Sequence, residues 1–249
     1  MFEKNVVGPI RYRNIYDRYS PLLNGNAAQD KDHFLKSKAT LQEFQVKMDG
    51  FLKLKKDIQS IRNAVLLNLF VLDCGDLNRD MISLCDELYQ SLIRHQVNTN
   101  RSWNRTICNQ FDGMATKLGE IPDETKELVE LQRYLKTSMN ETMPALMARI
   151  EEATQRVLFL LGCTILPLED IQLNTRVFQW PKDMASVFEL AKTRTGHRRD
   201  QVEDDLRGRI DKFEAAMKKI NRELETFTKK DPPVLTMDEM RSSVQVIDK

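Results

Sequence analysis

The distribution of glycine and proline is the feature that most constrains this fold. Nine of the 249 residues are glycine and eight are proline, and they fall in clusters that separate long stretches of alternating apolar and polar residues. An all-β chain would need a turn signal roughly every 8–12 residues. Within the long stretches, apolar residues recur every three or four positions, as on one face of a helix. We therefore predict an all-α fold, without a competing strand pattern or a repeat of fixed period.

The same clusters divide the chain into segments. Pro9, Pro21 and the run Asn24-Gly25-Asn26 predict an irregular start, and Gly119 followed by Pro122 predicts a helix end. The run Asp231-Pro-Pro predicts the end of the last long helix. The predicted organisation is an irregular aromatic-bearing lead (1–30), a helical bundle (31–165), a connector with an aromatic anchor (166–180), a long charged helix (181–231) and the start of a further helix (232–249).

Two apolar runs, residues 64–72 and 157–161, are much shorter than the ~20 residues that span a bilayer, so we expect no membrane span. The sequence AVLLNLFVLDCGDL, which contains the first run, is apolar on nearly every side and predicts a buried, central helix. A long helix is expected from about Leu77. Its middle, residues 95–102, is polar all round and predicts a bend or a crossing through solvent.

An aromatic cluster precedes the last predicted helix. Phe178, Trp180 and Pro181 lie together in the sequence VFQWPKD, and proline suits the first turn of a helix. Aromatic residues of this kind more often anchor a core than contact a ligand. We predict that Phe178, Trp180 and Pro181 form a structural anchor that fixes the start of the long helix in the bundle.

The long helix carries one apolar stripe, with the three-to-four spacing of a coiled coil. This stripe, called the seam below, consists of Val202, Leu206, Ile210, Phe213, Met217, Ile220, Leu224 and Phe227. Two interpretations remain open, namely packing within the chain and docking of a partner. A helix over residues 181–230 would be roughly 75 Å long at 1.5 Å per residue. The predicted fold class is therefore all-α, an elongated bundle of long helices with a coiled-coil-like C-terminal helix.

Chemistry-bearing residues do not converge in the sequence. No two glycines have the spacing of a phosphate-binding loop, and the three histidines are scattered. The cysteines match neither a zinc site nor a redox pair, which predicts free buried thiols; they are Cys74, Cys85, Cys108 and Cys163. The formal net charge of +1 gives no support for a nucleic-acid partner. We predict no catalytic, cofactor-binding or metal-binding residue, and no enzyme activity.

Four stretches occur in a specific order: GPIRYRNIYDRY, NLFVLDCGDLNRDM, WNRTICNQFDGMATKLGEIPDETKELVELQRYL and LPLEDIQLNTRVFQWPKDMASVFELA. Together they resemble the tail of dynein heavy chains, most closely the axonemal ones. The similar features are the Gly-Pro followed by aromatics, the helix ending in Leu-Asp-Cys, the Ile-Cys-x-x-Phe helix with its proline turn, and the connector with Trp-Pro. The resemblance covers nearly the whole chain.

The resemblance implies a non-catalytic tail segment, upstream of the linker and motor, that transmits force and carries accessory chains in the axoneme of a cilium or flagellum. The implied partners are dynein intermediate and light chains, with another heavy chain as a further candidate and the microtubule through the full complex. It implies no nucleic-acid or membrane partner and no cofactor here, because ATP belongs to the motor region. The alternatives are a generic helical scaffold or tether without a motor partner, and an α-helical enzyme that uses scattered acids.

Overall fold

The computed structural model describes the backbone of residues 2–67, 70–228, 236–238, 240–241 and 244, and the described part is predominantly helical, as predicted. Its α-helices and strands are α1 (Phe2–Arg13), α2 (Ser20–Leu23), α3 (Asn26–Lys36), α4 (Leu41–Gln59), β1 (Ala64–Leu67), β2 (Phe70–Asp73), α5 (Gly75–Gly119), α6 (Thr125–Thr137), α7 (Met143–Cys163) and α8 (Leu168–Thr228). A 3-10 turn covers Asp17–Tyr19 and a π-helical turn covers Ser138–Thr142.

The chain divides into two compact units, Met1–Thr116 with Ser138–Ala185, and Lys117–Thr137 with Ser186–Lys249. In the first unit, one hydrophobic cluster joins the N-terminal elements to α4 and to the first half of α5. Its buried members are Tyr16, Tyr19, Leu22, Phe44, Met48, Phe51, Ile58, Cys74, Met81, Cys85, Leu88, Leu92 and Ile93. The three-to-four spacing read along α4 and α5 in the sequence therefore marks a real core face.

The N-terminal segment is folded, which corrects the expectation of an irregular lead over residues 1–30. Helices α1, α2 and α3 lie within it or begin in it. Pro21 occupies the first turn of α2, where a missing N–H has no consequence, and Gly25, with a φ of 81°, forms the N-cap of α3. Tyr16 and Tyr19 are buried, and the Tyr16 hydroxyl donates a hydrogen bond to Asn78 Oδ1 at 2.9 Å. Pro9 lies inside α1, whereas Pro21 and Gly25 lie where short helices begin, so proline and glycine do not exclude helices here.

The described residues of the apolar run at 64–72 lie in two strands, so the prediction of a buried central helix, and of no strands, was wrong. Strands β1 and β2 pair antiparallel, with Val65 opposite Leu72. Leu66 and Val71 are 74% and 71% exposed, so one face of the strand pair is exposed. A short apolar run has no period long enough to distinguish a strand from a buried helix, and its β-branched and aromatic residues favour the strand.

Helix α5 ends at Gly119, as predicted, and α7 restarts with Pro144 in its first turn after the π-helical turn. Leu128, Leu131 and Leu135 form the buried face of α6. The middle of α5 differs from expectation. Within residues 95–102 the helix is continuous, and two of its polar side chains, at positions 96 and 100, are buried instead of crossing solvent.

Helix α8 begins 13 residues earlier than predicted, so the connector at residues 166–180 is mostly helical and Pro181 lies inside the helix. Pro167 supplies the boundary instead, because its carbonyl accepts from Asp170 N and Ile171 N at 3.0 and 3.1 Å. Pro181 has no N–H, so the Val177 carbonyl lacks its helical donor. A helix can continue through proline when tertiary packing outweighs that loss, and the residues on both sides of Pro181 are packed.

In the second unit, α8 side chains bind the turn between α5 and α6. The Arg194 guanidinium donates to the carbonyls of Leu118 and Gly119 at 2.8 and 3.0 Å, at the C-terminal end of α5. Arg198 donates to the Asp123 carbonyl at 3.1 Å. The Arg194 bonds satisfy carbonyls at the end of α5 that have no partner within their own helix.

Candidate functional site

Trp180, one of the three predicted anchor residues, packs inside the first unit. Its side chain is 4% exposed, and its ring stacks on Phe111 of α5 with centroids 5.3 Å apart and planes 12° apart. The Arg176 guanidinium carbon lies 4.0 Å from the Trp180 ring centroid on the same helix. Burial raises the pKa of the neighbouring Cys108 thiol, and the Trp180 indole N–H opposes that rise. The indole N–H does not reach a described acceptor with full hydrogen-bond geometry.

The other two predicted anchor residues have different environments. Phe178 is 41% exposed, so it does not belong to the buried anchor. Pro181 is half-buried within α8 and does not mark the start of the helix. Helical geometry explains the division, because residues two positions apart point to nearly opposite sides of a helix. The buried face of α8 continues instead through Val177 and Met184.

Three buried asparagines form a polar layer between α5 and α8 in the first unit. Asn100 and Asn104 lie one turn apart on α5, and both donate side-chain amide hydrogens to Asn174 Oδ1 on α8. The Asn100 bond measures 3.1 Å. The three side chains are between 1% and 5% exposed. The side-chain carbonyl oxygens of Asn100 and Asn104 are buried without a donor among the described residues, so the layer is only partly satisfied.

An ion pair borders this layer. Arg101 Nε and Nη2 donate to the two Asp170 carboxylate oxygens at 2.7 and 2.8 Å, in a bidentate arrangement. The Asp170 side chain is 3% exposed and the Arg101 side chain 33%. The hydrogen bonds to Asp170 raise the pKa of Arg101 above its ordinary value. Asp170 also lies in the first turn of α8, where a negative charge is favoured.

A second set of contacts joins α5 to α7. The Trp103 indole N–H donates to the Arg149 carbonyl at 3.3 Å, and the guanidinium carbons of Arg149 and Arg156 lie 4.6 and 5.1 Å from the Trp103 ring centroid. Arg149 also donates to Gln110 Oε1 on α5. Thus α5 is bonded to both α7 and α8 by directional polar contacts as well as by apolar packing.

The seam is solvent-exposed over its described length. Val202 is half-buried, whereas the next six members are between 43% and 67% exposed; they are Leu206, Ile210, Phe213, Met217, Ile220 and Leu224. The Phe227 side chain lies outside the described residues. No described side chain from residue 203 to 226 is buried. The two interpretations left open by the sequence, packing within the chain and docking of a partner, both remain predictions.

The described residues hold no group of three or more His, Cys, Asp or Glu side chains placed to bind a metal ion. His95 stacks on Phe44 with centroids 5.9 Å apart, which is a packing role. None of the described helices combines the length and apolarity needed to cross a bilayer. Two features distinguish the described structure, namely the asparagine layer between α5 and α8 and the seam. Neither has the residue pattern of a catalytic or ligand-binding motif.

Comparisons with known proteins identify relatives of one kind. No protein-family model matches the chain. It is 36% identical over 245 residues to dynein axonemal heavy chain 3 of Mus musculus and 34% identical over 248 residues to the Homo sapiens protein of the same name. It is 24% identical over 226 residues to dynein axonemal heavy chain 12 of Homo sapiens.

These matches cover 98%, 100% and 90% of the chain. In the opposite direction, the chain spans only 6% of the length of the two heavy chain 3 proteins and 7% of the heavy chain 12 protein. The similarity thus extends along essentially all of this sequence and a small part of each relative.

Proposed function

Because this chain is homologous along its whole length to a segment of axonemal dynein heavy chains, we propose that it acts as a non-catalytic tail segment of such a heavy chain. In this role it transmits force within a microtubule-based motor complex of the axoneme and carries accessory chains. The proposal is carried by one observation, the match of 34% to 36% identity across at least 98% of the chain.

The contacts between helices support a mechanical role. A load-bearing segment must resist sliding of one helix along another, and apolar packing alone resists sliding weakly because it is not directional. The Arg101–Asp170 pair and the bonds to Asn174 hold α5 and α8 in one register. Buried polar contacts of this kind specify register at some cost in stability.

The test is a chimaera of the mouse relative, in which the matched segment is replaced by this chain. We compare it with a variant of the mouse heavy chain from which the segment is deleted. Each preparation is assayed for ATP hydrolysis, for microtubule gliding velocity, and for the intermediate and light chains that co-purify with it. The proposal predicts that deletion leaves ATP hydrolysis largely intact and reduces gliding or accessory-chain recovery, and that this chain restores both.

A further test uses the same chimaera with Arg101→Met. This substitution removes one contact that fixes the register of α5 and α8, and it leaves the rest of the surface unchanged. We expect slower gliding at an unchanged rate of ATP hydrolysis. A deletion variant that glides normally with its full set of accessory chains would contradict the tail function. Restored gliding without accessory chains would leave force transmission standing and reject the carrier role.

A further inference from the structure

Among the described residues, the apolar face of α8 is buried in the first part of the helix and exposed further along it. Val177, Met184 and Ala191 are fully buried, whereas Leu206, Ile210 and Phe213, further along α8, are about half exposed or more. Large apolar side chains exposed in a continuous stripe at coiled-coil spacing indicate a surface that another helix covers. Isolated exposed apolar residues would carry no such meaning.

We propose that the seam pairs with the seam of a second copy of this chain, in an antiparallel two-helix arrangement. If Ile210 faces Ile220 of the second copy, Phe213 faces Met217 of the second copy, and the two-fold symmetry repeats both layers. Leu206 then lies at the level of Leu224 of the second copy. Every layer is apolar, and the central ones bring a methionine sulfur against an aromatic ring, which is a favourable contact.

The charges along α8 favour the antiparallel orientation. Residues 203–214 carry five acidic and three basic side chains, whereas residues 215–226 carry two acidic and three basic ones. Antiparallel pairing puts the acidic half of each helix beside the basic half of the other, and parallel pairing puts like halves together.

The residues that flank the seam agree with this orientation. In the antiparallel register Arg209 lies beside Glu223 of the second copy, and symmetry makes the pair occur twice. Ala216 lies beside Ala216 of the second copy, which allows the helices to approach closely. The one unfavourable pair is Glu214 with its symmetry mate, and each Glu214 already has Lys218 at 3.6 Å on its own helix.

This inference goes beyond the proposed tail function and does not rest on it. Pairing through α8 concerns the 249-residue chain itself, so it can hold or fail whether or not the chain serves as a heavy-chain tail. The first experiment measures the molar mass of the purified full chain by sedimentation, over a range of concentrations up to roughly 0.1 mM. The expected result is a concentration-dependent dimer.

Two variants locate the contact. Met217→Asp puts a charge in a central layer of the seam and should give a monomer at all these concentrations. Ala215→Asp adds the same charge to an exposed position outside the seam and should leave the dimer intact. Circular dichroism checks that both variants keep their helix content. A wild-type chain that stays monomeric, or dimers that are insensitive to Met217→Asp, would overturn the proposal, as would a seam that binds only a different protein.

Charge reversal tests the orientation. Arg209→Glu and Glu223→Arg should each weaken dimerisation by about tenfold, because each turns two attractive pairs into repulsive ones. The double variant should restore wild-type dimerisation, because the two charges of the pair change places and still attract each other. A parallel dimer would instead pair Arg209 with Glu214 of the second copy, so the double variant would stay weakened. That result would overturn the antiparallel register.

Discussion

At the scale of single residues, Trp180 and Phe178 differ in environment although they are two positions apart. We expect Trp180→Ala to lower the free energy of unfolding by about 3 kcal/mol, because it removes a buried ring stacked on Phe111. Phe178→Ala is the matched control and should cost less than about 1 kcal/mol, since its ring is 41% exposed. Urea denaturation followed by circular dichroism measures both. Equal losses in the two variants would show that the anchor is wrongly assigned.

The Arg101–Asp170 pair gives a second prediction. Arg101→Met leaves the Asp170 carboxylate buried without its cation, and we expect a loss of about 3 kcal/mol in the free energy of unfolding. The comparison is Arg79→Met, because Arg79 pairs with Asp76 at 3.2 Å on the surface, where both side chains are at least 77% exposed. That change should cost well under about 1 kcal/mol. Similar denaturation midpoints for the two variants would contradict the assigned role.

Sequence reasoning identified Trp180 but missed the asparagine layer, and the reason is physical. A buried tryptophan is marked by its own chemistry, because a large apolar ring rarely lies in water. An asparagine gains its role only from its partner, and Asn100 and Asn174 are separated by 74 positions. The sequence held one signal for this layer. If the apolar spacing on both sides of the polar stretch in α5 is continued through that stretch, Asn104 lies on the buried face of the helix.

At the scale of an element, α4 begins with a capping box. The Thr40 hydroxyl accepts from Glu43 N, and the Glu43 carboxylate accepts from Thr40 N at 2.6 Å. The Thr40 hydroxyl also donates to the Glu43 carboxylate at 2.9 Å. The two bonds to the carboxylate, from the Thr40 backbone first and the Thr40 hydroxyl second, hold the pKa of Glu43 below its ordinary value. Thr40→Ala should therefore cost about 1 kcal/mol near neutral pH.

The pH dependence follows from the direction of that pKa shift. Because the pKa of Glu43 is lower in the folded than in the unfolded state, its contribution is present above the unfolded pKa and is lost as pH falls through the folded one. The stability difference between wild type and Thr40→Ala should shrink in acid. Thr106→Ala is the control, since its exposed hydroxyl bonds only the Ser102 carbonyl within α5. A difference that stays constant down to strongly acid pH would argue against the capping box.

The elements themselves were predictable where periodicity was long. Helix α5 and the buried face of α6 followed from apolar spacing sustained over several turns. The strands Ala64–Leu67 and Phe70–Asp73 did not, because four residues per strand are too few to show a period. The start of α8 was misplaced because Pro181 is also compatible with a helix interior when the surrounding residues are packed.

At the scale of a whole folded unit, the cysteines report on the packing of the first unit, in which all four lie. Cys74, Cys85 and Cys108 are buried and Cys163 is half-buried, all as free thiols. Burial is the main cause that raises the pKa of Cys85, Cys108 and Cys163. Since the thiolate is the reactive form, we expect slow labelling by a thiol reagent at mildly alkaline pH, with Cys163 reacting first.

Unfolding the chain in urea should make all four cysteines react quickly, which serves as the control for this prediction. Mass spectrometry of partly labelled protein identifies the order. Rapid labelling of Cys85 and Cys108 in the native chain would mean that the first unit opens far more easily than its packing indicates.

The sequence by itself determined that this chain is helical, that Trp180 is buried, and that one stripe of α8 is apolar, because these depend on local period and on the chemistry of single side chains. Its similarity to dynein heavy chains was visible in the same way, as ordered local motifs. Tertiary structure alone decided that the stripe from Leu206 to Leu224 is solvent-exposed among the described residues and that Asn174 meets Asn100 and Asn104. Both depend on which distant surfaces come together, and no local pattern encodes the distance between residues far apart in the chain.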